Sequence, residues 1–145
     1  MAAHRQPIAV VEFAEGLMVS NRRTGTLSVV SRDATRVESE FKLARQLSDL
    51  AIVPNSDLCV AADDRANEIV LLRVTDGQPQ VLQRQTVAAQ PVSVHCSADG
   101  TSLTVASLWA HQVSKWTIRR DGSSARLAAS GVLDVPFAPR LQCLS

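Results

Sequence analysis

Three short polar stretches hold the side chains of this sequence that could do chemistry: Asn21, Arg22 and Arg23; Asp63, Asp64 and Arg65; and Trp109 with His111. Carboxylates and an imidazole facing a small polar substrate can move protons, and guanidinium groups can stabilise a developing oxyanion. An exposed tryptophan can anchor a partner or cap a packing surface. Solvated loops carry the same residue types, and there local ion pairs contribute only about 0–1 kcal/mol each. No Gly-x-Ser-x-Gly, phosphate-binding glycine loop, His-Glu-x-x-His or EF-hand pattern occurs, so no hydrolase triad, nucleotide site or metal centre is assigned. No catalytic residue, metal ligand or cofactor is expected. His95, alternating with Val94 and Cys96, reads as a structural strand residue.

Each polar stretch lies between two short apolar segments. Leu17–Asn21 is followed by Leu27–Val30, Leu58–Ala62 by Ile69–Leu72, and Leu103–Ser107 by Val113–Trp116. The starts are 41 and 45 residues apart, a period typical of four-stranded propeller blades. Alternation over four to six residues reads as strand, loop, strand. Asp76-Gly77 and Asp121-Gly122 then supply reversals, because both residue types tolerate the left-handed conformations of tight hairpins. A third segment follows at 36–42, 80–86 and 125–133. A fourth, as at 50–54 and 92–96, precedes the next unit and ends in a turn, Pro54–Asp57 or Ser97–Thr101. No stretch keeps a 3.6-residue period, and 39–50 scans as strand end plus connector.

The expected fold class is therefore all-β: propeller blades of four antiparallel strands, about three blades plus one strand, in an incomplete ring. A flexible leader is expected over 1–7, blades over 8–44, 48–87 and 91–135, and the start of a fourth over 139–145, where Pro139 matches Pro91. Closed propellers need four to eight blades, so the expectation is the N-terminal portion of a longer propeller, or a fragment that assembles with other chains.

With the unit defined, Pro91–Gly100 and Leu17–Asn21 followed by Gly25–Val30 resemble the repeat of the YVTN-type, lactonase-like and WD40-like seven-bladed propellers. That repeat runs as a proline-initiated strand, a Ser-Pro-Asp-Gly hairpin, a Leu-Tyr-Val-Ala-Asn strand and an Asn-x-Val-x-Val strand. Here the tyrosine is replaced by Met18, Cys59 and Thr104, and the asparagine stands only at Asn21. The resemblance implies a propeller; its members include enzymes, binders and scaffolds.

Composition limits the choice. The 145 residues carry a net charge of +1 and 3% aromatic residues, without the broad positive field of a nucleic-acid or anionic-membrane binder. No apolar run is long enough for a secretory h-region or a spanning helix, and no compartment is assigned. Cys59, Cys96 and Cys143 form no Cys-x-x-Cys pair and sit among apolar neighbours, as buried strand cysteines do. The preferred reading is a non-enzymatic propeller segment. Its loop residues Asn21, Arg22, Arg23, Asp63, Asp64, Arg65, Trp109 and His111 would present a surface to a protein or small ligand, with remaining blades from the same or another chain. The alternatives are part of a lactonase-type enzyme acting on a small polar substrate, or a propeller module attached to a bacterial cytochrome c domain.

Overall fold

The computed structural model describes residues 4–139; beyond Pro139, the strand expected to start a fourth blade lies outside them. The described residues form twelve strands and no helix. The first sheet contains β1 (Pro7–Phe13), β2 (Gly16–Asn21), β3 (Thr26–Val30) and β4 (Val37–Lys42). The second contains β5 (Leu47–Ile52), β6 (Leu58–Asp63), β7 (Glu68–Thr75) and β8 (Gln78–Thr86). The third contains β9 (Pro91–Cys96), β10 (Ser102–Ser107), β11 (Gln112–Asp121) and β12 (Ser124–Asp134). In every sheet the strands pair antiparallel in chain order. The first strands of the sheets also pack in chain order, β1 on β5 and β5 on β9. These are stacked propeller blades in an open arc.

Stacking follows from the period-two pattern. Met18, Leu27 and Val29 of the first blade meet Leu50, Cys59, Ala61, Val70 and Leu72 of the second. The opposite face of the second blade, with Val60, Ala62, Ile69 and Leu71, meets Val94, Leu103, Val105, Trp116 and Ile118 of the third. The middle blade is thus covered on both sides, which is why all six residues of β6 are buried and its sequence is almost continuously apolar. Burying a Leu, Ile or Val side chain of this kind stabilises by roughly 1.5–3 kcal/mol.

Turns are set by local chemistry. Asp76 (φ 53°) and Gly77 (φ 70°) form a two-residue left-handed hairpin between β7 and β8. At Ser97–Thr101, Asp99 Oδ1 accepts from Ser97 Oγ (2.6 Å), Thr101 N (3.0 Å) and Thr101 Oγ1 (2.7 Å). Those donors hold its pKa down at about 2. Ser31, Asp33 and Thr35 repeat the network between β3 and β4, with the same effect on Asp33.

The leader expected over 1–7 meets the first blade at its end. The carbonyls of Arg5 and Gln6 accept from Arg23 N (3.2 Å) and Arg22 N (2.8 Å), and Pro7 opens β1. Backbone bonds therefore tie the chain to the first blade from Arg5 onward. Cys59 is buried and Cys96 half-buried. Desolvation raises both thiols, Cys96 to about 11, so neither is a reactive thiolate near neutral pH.

Candidate binding site on one rim of the blades

In an antiparallel meander alternate turns fall at the same end, so one rim gathers the β2–β3, β6–β7 and β10–β11 loops together with the β4–β5 and β8–β9 connections. The same backbone frame recurs in each blade. Arg22 N donates to Gln6 O (2.8 Å), Asp64 N to Gln46 O (3.1 Å) and Leu108 N to Gln90 O (2.8 Å). Three loop positions are left-handed: Gly25 (φ 65°), Asn67 (φ 55°) and His111 (φ 52°). Their carbonyls accept from Leu43 N, Val87 N and Val135 N at 2.8–2.9 Å. At the first of these the approach is closest, since a Cβ on Gly25 would lie 1.9 Å from Ala44 O.

On this frame the candidate residues take different roles. Asn21 is buried, and its Nδ2 donates to Ser28 Oγ (2.8 Å) and Thr26 Oγ1 (3.1 Å). Asp63 is fully buried and accepts from four backbone N–H groups: Arg45 (2.7 Å), Gln46 (3.3 Å), Arg65 (3.0 Å) and Ala66 (2.9 Å). It clamps its own loop to the preceding connection and has no geometry for proton transfer. Asp64 is ion-paired with Arg22 at 2.8 Å, its side chain only 3% exposed. Gln46, with its amide oxygen turned to accept, receives Arg22 Nε at 3.3 Å. Arg23 lies exposed in the β2–β3 loop. His111 serves the backbone as the left-handed loop residue.

The structure does bring together Asp64, Arg65 and Trp109. With Gln46, Asn67, Ala89 and Gln90 they line a cavity of about 340 Å³ between the second and third blades. Trp109 is 74% exposed. Asn67 Oδ1 accepts from Gln90 N (2.9 Å), which orients Gln90, yet the Gln90 Oε1 atom is buried with no partner among the described residues. Such an atom costs about 1–3 kcal/mol unless a donor reaches it. The cavity thus offers a guanidinium, an indole and side-chain amides, while its carboxylate is already paired with Arg22. That chemistry is suited to holding a polar molecule.

Gln46 and Gln90 were not among the residues singled out by sequence. A signal was present: Gln6, Gln46 and Gln90 each stand immediately before the first strand of a blade, 40 and 44 residues apart. Among the described residues no group of three His, Cys, Asp or Glu side chains could hold a metal ion.

Fold and rim define three consecutive β-propeller blades with a small polar cavity between two of them. Solved structures support that class. A candidate 6-phosphogluconolactonase from Bacteroides fragilis superposes with a TM-score of 0.84 at 16% identity, over 97% of this chain and 42% of that one. The Pseudomonas aeruginosa periplasmic gluconolactonase gives 0.79 at 17% identity, over 91% of this chain and 40% of that one. The β-propeller domain of Swd1 from Myceliophteria thermophila gives 0.71 at 15% identity, over 90% and 44%. The chain therefore spans about two fifths of the length of these structures. No family model matches the sequence, and no curated protein matches it. At these identities the likeness concerns the fold.

Proposed function

We propose that these blades form a rigid, non-enzymatic binding scaffold whose rim takes a small polyhydroxylated ligand between the second and third blades. The observation that carries this reading is the cavity between the blades that brings the Gln46, Asn67 and Gln90 amides and the Arg65 guanidinium together with the exposed indole of Trp109. Ligand hydroxyls would pair with the amides and the guanidinium, and the indole would cover an apolar ring face. The repeat resemblance and the two-fifths coverage of longer propellers support placing the blades in a larger, YVTN-type ring completed by the same or another chain.

The test is a tryptophan-fluorescence titration with glucose, gluconate and glucono-δ-lactone. Trp116, 8% exposed, provides the constant background. Saturable quenching that is abolished by Trp109→Phe and weakened at least tenfold by Gln90→Leu is expected. No saturable response to any of the three sugars defeats the reading.

A lactonase reading has one observation in its favour, the three lactonase-named structures among the neighbours. It requires glucono-δ-lactone hydrolysis above the buffer rate, falling at least tenfold in Asp64→Asn. The commitment of Asp63 and Asp64 to backbone and ion-pair contacts favours binding over proton transfer.

A further inference from the structure

On the same rim, between the first and second blades, a wider cleft of about 690 Å³ collects charge from three separate parts of the chain. Lys42 ends β4, Arg45 lies in the β4–β5 connection, Arg65 in the β6–β7 loop and Arg84 on β8; Asp63 and Glu68 are the only carboxylates lining the cleft among the described residues. Both carboxylates are engaged. Asp63 accepts from backbone N–H groups through each of its oxygens. Glu68 is paired with Arg84 at 2.9 Å, whose other arm donates to Leu43 O at 2.7 Å. Lys42 Nζ donates to the Thr24 carbonyl and keeps further N–H donors.

Arg45 and Arg65 remain exposed, and neither guanidinium has a carboxylate within ion-pair distance among the described residues. Their placement is not loose. The Asp63 carboxylate accepts the backbone N–H of both residues, Arg45 at 2.7 Å and Arg65 at 3.0 Å, so one buried group fixes the starting points of both side chains beside the same cleft. The lining carries four cations, Lys42, Arg45, Arg65 and Arg84, against the carboxylates of Asp63 and Glu68, which leaves the cleft net positive.

We propose that this cleft is a binding site for a small, multiply charged phosphate-type oxyanion, gripped by Arg45 and Arg65 with Lys42 at its edge. Guanidinium forks match phosphate oxygens with paired hydrogen bonds. No aromatic side chain lines the cleft, so it lacks a stacking platform for a nucleobase. The site is separate from the sugar-type cavity proposed above, with which it shares only Arg65.

Calorimetric titration of the whole chain with inorganic pyrophosphate, at ionic strength held constant with NaCl, tests the assignment. One-site binding that weakens as salt rises is expected. Arg45→Gln/Arg65→Gln lowers the affinity at least tenfold, whereas Lys115→Gln on the third blade leaves it unchanged. Far-UV circular dichroism checks the fold of the double variant. If that variant fails to fold, Lys42→Gln together with Arg45→Gln takes its place, with the same loss expected. Absence of binding beyond the salt control, or equal affinity in the folded double variant, overturns the proposal.

Discussion

The second and third blades share one plan but differ on the face turned away from the preceding blade. In the second, Ala51, Val60 and Leu71 form a cross-strand row, and Val60 and Leu71 are completely buried under the third blade. The corresponding row of the first blade, Val11, Met18 and Val29, is likewise apolar and covered by the second. In the third blade the row is His95, Thr104 and Lys115, with Lys115 exposed. All three rows hydrogen-bond equally regularly. Pairing strands into a blade therefore does not depend on what the row carries, whereas stacking blades does. Burying Lys115 as Leu71 is buried would cost several kcal/mol unless a carboxylate met it. Any surface covering the third blade in that manner must provide one or leave the ammonium in water.

The widest separation between the two blades is expected from truncation. Leu71→Ala should destabilise by about 3 kcal/mol through lost burial and the cavity left behind, while Lys115→Ala should stay within about 0.5 kcal/mol, both read from urea unfolding. Equal effects would mean that the middle blade is not the thermodynamic core.

The rim comparison comes next. Asp63 and Ser107 end the second strand of their blades, yet Asp63 accepts from four N–H groups while Ser107 Oγ, buried, has no hydrogen-bond partner among the described residues. Asp63→Ala should cost about 2 kcal/mol and Ser107→Ala well under about 1 kcal/mol, again by denaturant unfolding.

Making the third row resemble the second should change association more than stability. Lys115→Leu is expected to shift unfolding free energy by no more than about 0.5 kcal/mol while increasing self-association in sedimentation velocity, because it replaces the exposed cation of the row with an apolar side chain. A purely monomeric variant would show that this one cation is not what keeps the face apart.

The smallest effects are electrostatic and oppose one another. Asp33 and Asp99, held at about 2 by hydroxyl and backbone donors, contribute stability that is fully present above the ordinary aspartate pKa near 3.9 and lost as pH falls toward 2. Asp49 on β5 is raised by burial, so it favours the folded state when protonated and erodes stability as pH rises from its unfolded value through its folded one. Thermal midpoints between pH 2 and 6 should flatten at the acid end in Asp33→Asn/Asp99→Asn. Asp49→Asn should remove the opposing slope.

The strands and their order were legible because their causes are local. A two-residue alternation, an Asp-Gly reversal at 76–77 and a Ser-x-Asp-Gly-Thr turn at 97–101 act within a few residues. The rim was legible only in part. Asp63 looks like a free carboxylate beside Asp64 until Arg45 and Gln46, 18 and 17 residues earlier, bring their N–H groups to it. His111 looks like an acid–base group until its φ of 52° places it in a loop position filled elsewhere by Gly25 and Asn67.

By itself, then, the sequence determined how each blade is made, since turns and strand pairing are short-range and repeat with the chain. The tertiary structure alone decided what the rim residues do. Hydrogen-bond partners and counter-charges there come from adjacent blades and distant connections, and only stacking reveals that Asp63 is satisfied, that Gln90 Oε1 has no partner among the described residues, and that Arg45 and Arg65 border one cleft with no carboxylate in ion-pair distance among the described residues.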